Sequence, residues 1–547
     1  MLERKKTYKE VYDSFRWEIP EFYNIGVDVC DKWAEDKHRL CLIYEDEAGN
    51  IEKFSFWEIK NLSNQLANAL RELGVARGER IAILLGQVPE TVVSHVAAYK
   101  LGAIALPLFT LFGPEALEYR LKDSAAKILV TDSDNVEKVL SIRDNLGELR
   151  HIIVTDGGGD KETLSYKALL GKASRKFTAE KTKAEDPALL IYTSGTTGPP
   201  KGALHAHRVL LGHLPGVEFP HNFFPQKGDL FWTPADWAWA GGLLDVLLPS
   251  LHHGIPVVAF RVRKFDPERA FYLVEKHGIR NSFMPPTALK MMREVSKPLK
   301  RFPEFNIRSI GSGGETLGEE VLRWGREELK ITINEFYGMT EVNLVVGNCY
   351  EVMEIKPDSM GKAIPGHIVD IVDEKGRILS PGETGEVAVE GPDPVMLLEY
   401  WGKPEATKEK FVGDWWLTGD LARKDEDGYF YFLGRKDDLI SSAGYRIGPS
   451  EIEACLIKHP AVAMAAAIGS PDELRGEIVK AFIQLKVGYQ ATKDLSTEIQ
   501  EFVKKRLSAH EYPREIEFLK ELPLTATGKI RRADLRKLEI ERKRSKT

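Results

Sequence analysis

Tyr192-Thr193-Ser194-Gly195-Thr196-Thr197-Gly198-Pro199-Pro200-Lys201-Gly202 is the stretch that decides how this chain reads. The apolar run just before it, 188–192, has the pattern of a buried strand. The hydroxyls that follow, with backbone N–H groups bared by Gly195 and Gly198, form a concave donor surface for phosphate oxygens. Lys201 adds a full positive charge at its edge. The stretch is not a Walker loop, which needs Gly-x-x-x-x-Gly-Lys-Ser/Thr opening a helix. Here two prolines precede the lysine and a glycine follows it, so no helix starts there in that way. The plain alternative is a flexible Gly/Thr turn.

At 547 residues the chain is too long for one core, and two or more domains are expected. A net charge of −6 gives no reason to expect a nucleic-acid partner. Cys30, Cys41, Cys349 and Cys455 are scattered, with no Cys-x-x-Cys pair, which argues against zinc and against a disulfide framework. The first residues are charged with no apolar stretch behind them, so neither a secretory signal nor a transit peptide is expected. No apolar run approaches the ~18 residues that a membrane helix needs. The expectation is a cytoplasmic protein with no membrane insertion.

Up to about residue 180 helical patterns (56–73, 90–99, 115–121) alternate with strand patterns (80–85, 102–108, 127–131). That order implies an α/β fold with a parallel sheet covered by helices. No Gly-x-Gly-x-x-Gly follows an early strand, so a dinucleotide site is not supported. Residues 175–186 are charged and aperiodic and serve as the connection into the phosphate loop. Beyond the loop, Trp237, Trp239, Ala240 and Gly241 make a wall with gaps, although Trp237 reads equally well as core. At Gly314-Glu315-Thr316 glycine permits a planar ring to approach the backbone closely. In Glu335-Phe336-Tyr337-Gly338-Met339-Thr340-Glu341 an aromatic, a hydroxyl and a carboxylate sit close together, and Glu341 could hold magnesium through an oxygen.

Asp420, after the turn at Thr418-Gly419, can accept both hydroxyls of a ribose. An aromatic strand then ends at Gly434-Arg435-Lys436-Asp437-Asp438, where we place the domain boundary: 1–434 and 435–547. The second unit reads as a small α+β domain, with a helix from about Ser450, strands at 463–468 and 479–485, and a helix at 495–507. Lys529, in Thr527-Gly528-Lys529, is a mobile point charge that by itself resembles any surface lysine. The basic tail, 531–546, reads as a solvated helix.

Five ordered motifs between about 190 and 530 agree with one another, and together they resemble the AMP-forming acyl-CoA synthetases of the adenylate-forming superfamily. The acetyl- and medium-chain acyl-CoA synthetase branch is nearest, through Gly434-Arg435-Lys436-Asp437-Asp438 and the run 442–453. The resemblance implies a large multi-sheet N-terminal domain, a small mobile C-terminal lid, and a two-step ligation with ATP, Mg2+ and CoA. It implies that Thr193, Ser194, Gly195, Thr196, Thr197, Gly198, Pro199, Pro200 and Lys201 hold the β- and γ-phosphates. Gly314, Glu315 and Thr316, with Glu335, Phe336 and Tyr337, would line the adenine, and Gly338 and Met339 would belong to the same ATP site. Thr340 would meet the α-phosphate, Glu341 the magnesium, and Asp420 and Arg435 the ribose. Lys529 would bridge the carboxylate and the α-phosphate. Asp437 would be the hinge, unless it only caps a turn; Ala443, Gly444 and Tyr445 would flank the pantetheine, and Arg475 and Arg514 would meet CoA phosphates.

Acetate-specific relatives carry tryptophan where this chain has Gly338, and Val-Thr where it has Ala240-Gly241. The expected acyl pocket, lined by Trp237, Trp239, Ala240, Gly241, Gly338 and Arg446, is therefore larger than acetate needs. A four- to eight-carbon, branched or aromatic acid is expected, with each buried methylene contributing ~0.8 kcal/mol. The alternative within the resemblance is an adenylation enzyme that loads a carrier protein. A nucleotide-binding protein without catalysis would be expected to lack Lys529, Glu341 or the loop, and all are present.

Overall fold

The computed structural model describes residues 2–193, 200–261, 264–438, 440–442, 445–472, 476–507, 512–525 and 529–544. The β-α-β order at the start of the chain builds an eight-stranded sheet, ordered Glu399–Tyr400, Gly202–Ala206, Pro187–Tyr192, Ile104–Pro107, Arg80–Leu84, Ile128–Thr131, His151–Val154, Leu164–Ser165. From Pro187–Tyr192 onward its neighbours are parallel; Gly202–Ala206 returns antiparallel. A second, nine-stranded sheet has the parallel strands Asn281–Phe283, Ser309–Gly313 and Ile333–Met339 near one end.

The two sheets share one core. Ile81, Ile83 and Ile128 of the first, and Leu42, Phe231 and Val257 of the second, meet through helices between them. The helix Pro89–Lys100 is buried almost all round, as expected of a helix with sheet on both sides. Its terminal Lys100 is satisfied by Ser63 Oγ at 3.0 Å, Asn64 Oδ1 at 2.8 Å and Asp31 at 2.6 Å. The outer helix Phe56–Glu72 opens on a Ser55–Glu58 capping box and stops before Gly74, whose φ is +85°.

A third, five-stranded antiparallel sheet joins Val369–Val372, Thr384–Glu390, Trp415–Lys424, Phe411–Val412 and Phe430–Arg435. Its last strand ends at Arg435, and the turn Lys436–Asp438 leads to Ile440–Ser442 in a separate C-terminal sheet. That sheet is built on the long hairpin Val462–Asp472/Gly476–Leu485. The helices Pro449–Ile457 and Lys493–Lys504 cover one face, with Ile452, Leu456, Ile499 and Val503 in the core.

The tail corrects its sequence reading. The helix Arg532–Arg544 is not merely solvated: Leu535 joins Ala466, Ile468 and Phe482 in a second small core. Buried Glu539 accepts from Lys480 Nζ at 2.5 Å and Ser470 Oγ at 2.7 Å. The helix start is fixed by Arg532, which donates to Glu453 at 2.9 and 2.5 Å and lies 3.5 Å from Asp438. That anchor stands three residues beyond Lys529. Among the described residues no helix is long and apolar enough to cross a membrane.

Candidate active site

The phosphate-loop stretch begins as a hairpin. Thr193 donates from its backbone N–H at 2.9 Å and from its hydroxyl at 3.3 Å to the carbonyl of Lys201, and Tyr119 OH donates to Pro200 O at 2.9 Å. Ser194, Gly195, Thr196, Thr197, Gly198 and Pro199 lie outside the described residues. Lys201 Nζ stands 5.1 Å from the centre of the Tyr400 ring. The hydroxyl of Tyr400 donates to Glu341 Oε1 at 2.6 Å. One tyrosine therefore ties the lysine at the loop's edge to the carboxylate read as a metal ligand. No other hydrogen bond to that carboxylate is made among the described residues, so a hard oxygen remains for magnesium.

The hairpin Ile333–Met339/Asn343–Gly347 carries the next group. Tyr337 OH donates to Asp420 Oδ2 at 2.7 Å, and Arg435 Nε lies 3.6 Å from Asp420 Oδ1, the two residues being partners across adjacent strands. Burial, the leading effect, pushes the Asp420 carboxyl up, while Arg435 and the tyrosine hydroxyl pull it down. Burial also opposes the Arg435 charge, but Asp420, Tyr337 and Glu341 outweigh it and hold the guanidinium above its ordinary range. Buried Arg435 Nε makes no hydrogen bond, its nearest carboxylate oxygen being Asp420 Oδ1 at 3.6 Å.

Gly314 follows the strand Ser309–Gly313 with φ +92°. A Cβ there would stand 3.8 Å from Lys529 Nζ, so this lysine of the C-terminal domain reaches the end of the strand. Its loop is pinned by Thr525 N to Lys529 O at 2.6 Å and Lys529 N to Thr525 Oγ1 at 3.0 Å. Crowding by protein lowers the pKa of the ammonium, and Arg435 adds to that; Glu315 and Asp420 pull it back up. Solvent still reaches the side chain and tempers the first effect. Glu315 in turn accepts from Thr287 Oγ1 at 3.1 Å. Lys201, Glu341, Asp420, Arg435 and Lys529 form a ring of charge contributed by both domains.

The sequence matches the AMP-binding enzyme family over residues 30–401, and its C-terminal domain over 451–529. The chain belongs to this family. It is an AMP-forming acyl-CoA synthetase: it activates a carboxylic acid with ATP and passes the acyl group to CoA, with Mg2+ as the metal. Acetyl-coenzyme A synthetase of Bacillus subtilis (strain 168) is 36% identical over 98% of this chain and 95% of that protein. The mitochondrial acyl-coenzyme A synthetase ACSM3 of Rattus norvegicus is 34% identical over 97% and 93%. Among solved structures, the anthranilate CoA ligase AuaEII in complex with anthranoyl-AMP superposes with a TM-score of 0.87 at 30% identity, covering 95% of this chain and 98% of that one.

The residues expected to line an acyl pocket depart from their sequence reading in three places. Trp237 has no accessible surface and belongs to the main core, so it does not line a pocket. Gly338 leaves no room in place of an indole: a Cβ there would overlap the carbonyl oxygen of Asn343, where the hairpin register shifts. At Gly241 a Cβ would stand 2.6 Å from Phe283 Cε1, so the phenyl ring occupies much of that gap. Trp239 keeps part of its surface, with Phe109 and Phe112 packed at 5.3 and 5.9 Å. Phe109 also lines a cavity of about 220 Å3 that holds Asp236 and Arg261.

Ala443, Gly444 and Arg475 lie outside the described residues, as do the side chains of Asp437, Tyr445 and Arg446. Arg514 precedes the strand Glu515–Phe518, its Nη1 donating to Tyr512 OH at 3.3 Å. Sequence reasoning missed Tyr400 and Lys410. Lys410 Nζ lies 3.5 Å from Thr418 O, beside the Asp420 turn. Burial lowers its pKa, while Glu341 and Glu386 raise it. In the run Thr407-Lys408-Glu409-Lys410 nothing distinguishes it from a solvated lysine.

Glu335 gives a pH signature. Burial pushes its carboxyl up to about 8, aided by Asp358 and opposed by the Leu317 N–H and Lys290. Its folded pKa lies above the unfolded value of 4.5, so its contribution to stability is full below that pH and is lost as pH rises through about 8. Glu335→Gln keeps an acceptor for Leu317 N and removes the ionisation. Its melting temperature is expected to gain on the parent's by ~5 °C between pH 5.5 and pH 8.5. A gap that does not change with pH in paired melting scans contradicts this assignment.

Proposed function

We propose that the synthetase activates an acid larger than acetate, of four to eight carbons, branched or aromatic. The observation that carries this reading is the partly accessible Trp239 beside the small Ala240, with the rings of Phe109 and Phe112 packed at 5.3 and 5.9 Å. The likeness to a ligase crystallised with anthranoyl-AMP favours the same reading.

In this proposal Lys201 and the described ends of the phosphate loop bind the β- and γ-phosphates. Gly314, Glu315, Thr316, Phe336 and Tyr337 line the adenine, Asp420 and Arg435 take the ribose, and Thr340 meets the α-phosphate. A carboxylate oxygen of the acid attacks the α-phosphorus and pyrophosphate leaves. Negative charge grows on the equatorial phosphate oxygens, where Lys529 and Arg435 are already in place, without reorganisation at the moment of reaction. Glu341 would hold magnesium, which would supply neutralisation of the phosphate charge. The CoA sulfur then attacks the acyl carbon, the thiol proton is lost, and AMP leaves. We place the lid at 435–547, turning about Asp437 between the steps, and the enzyme in the cytoplasm.

An acid series from acetate to octanoate, with benzoate, tests the assignment through kcat/KM for thioester formation. An acid larger than acetate is expected to lead. Highest efficiency with acetate contradicts it. Pyrophosphate exchange without thioester for every acid moves the reading to an adenylation enzyme with another acceptor.

A further inference from the structure

The acyl-wall helix contains a π-helical segment, Leu243–Leu247, and Asp245 stands inside it. Such insertions re-aim a side chain and concentrate at functional sites. Asp245 follows Gly241 by four residues, which on a helix places the two on one face. Its Oδ2 lies 3.6 Å from where a Cβ of Gly241 would stand. Its Oδ1 is 2.8 Å from His213 Nε2.

Solvent access shows which way the carboxylate faces. Leu243, Leu244, Val246 and Leu247 have at most trace exposure, 0% each, whereas 7% of the Asp245 side chain is accessible. The His213 side chain has none, and its Nδ1 has no partner. The histidine is thus a buried support, and the accessible surface lies at the aspartate, whose Oδ2 neighbours Gly241. A carboxylate in so apolar a wall is costly unless its oxygens are engaged. His213 engages one oxygen; no hydrogen bond to the other is made among the described residues. Burial pushes the carboxyl up and His213 pulls it down, so in either protonation state an acceptor oxygen remains.

We propose that Asp245, positioned by His213, is a specificity residue that accepts a hydrogen bond from a hydroxyl or amino group on the body of the acid. The inference rests on the acyl wall proposed above. It narrows the substrate class from any larger acid to one carrying a donor away from its carboxylate.

The test is a set of matched acids, each differing by one donor: hexanoate with 6-hydroxyhexanoate and 6-aminohexanoate, and benzoate with its 2-, 3- and 4-hydroxy and amino derivatives. The readout is the ratio of kcat/KM for thioester formation within each pair, which cancels the fraction of enzyme that is folded. Parent enzyme is expected to favour the donor-bearing member of at least one pair by ~10-fold or more, because a buried acceptor left unpaired penalises the plain acid. In Asp245→Ala and in the near-isosteric Asp245→Asn that ratio is expected to fall by a similar factor. The hydroxyl and amino arms distinguish a neutral from a cationic donor. Parent enzyme that favours the plain acid in every pair, or variants that lose both members equally, overturn the specificity role alone. No thioester from any acid overturns the ligase's proposed acid class and this role with it.

Discussion

Lys529→Ala is expected to slow acyl-AMP formation by ~10²-fold or more, the loss typical of one preplaced electrostatic donor in a water-poor site. The reason is geometric as well as electrostatic. The lysine is delivered by a lid loop whose closing hydrogen bonds, at 2.6 and 3.0 Å, set its reach, and its Nζ meets the wall at Gly314. Alanine leaves the loop bonds intact, since both run through the backbone of residue 529. The defect should therefore appear in the pyrophosphate-releasing step. Thioester formation from supplied acyl-AMP should fall far less, because in the proposed second pose the lid withdraws this residue. Equal losses in both half-reactions would contradict the division of labour, and no loss in the first would remove Lys529 from the mechanism.

Gly338→Ala is expected to destabilise the N-terminal domain by about 3 kcal/mol or more, the cost of forcing atoms into a space already filled by backbone. The obstacle is the carbonyl of Asn343, which is held by the Ile333–Met339/Asn343–Gly347 ladder and by a positive φ of +46° at Asn343 itself. Neither side can yield without shifting Tyr337, beside the glycine, and Glu341, three residues on, which bond Asp420 and Tyr400. Thermal unfolding of the variant should show a clear loss, with activity falling alongside it. A variant that melts like the parent and merely prefers smaller acids would show that the hairpin relaxes freely. It would also restore the sequence reading of Gly338 as pocket floor.

The sequence read well wherever one local segment held the whole signal. The apolar run 188–192 read as a buried strand, and the strand Pro187–Tyr192 stands there, because that pattern is complete within a few residues. The βαβ alternation of 80–131 likewise announced a parallel sheet, because its short strands are separated by the regularly spaced helices Pro89–Lys100 and Pro114–Ser124. Trp237 could not be assigned, since an indole in a wall and an indole in a core look alike in one dimension. Gly338 misled because the atom that fills its space comes from a register shift, which side-chain pattern does not encode. The tail misled for a longer-range reason: its charges read as solvated until Glu539 meets Lys480, 59 residues away. The third sheet escaped notice because two of its strands, Val369–Val372 and Phe411–Val412, are only four and two residues long.

The central claim is that the two domains together form an acid-to-CoA ligation site that consumes ATP to AMP. Its most direct measurement follows pyrophosphate, AMP and thioester in one reaction with ATP, Mg2+, CoA and the preferred acid. The account predicts equal amounts of all three, and pyrophosphate release that turns over steadily only when CoA is present. ADP in place of AMP, or sustained pyrophosphate release with no thioester, would contradict it.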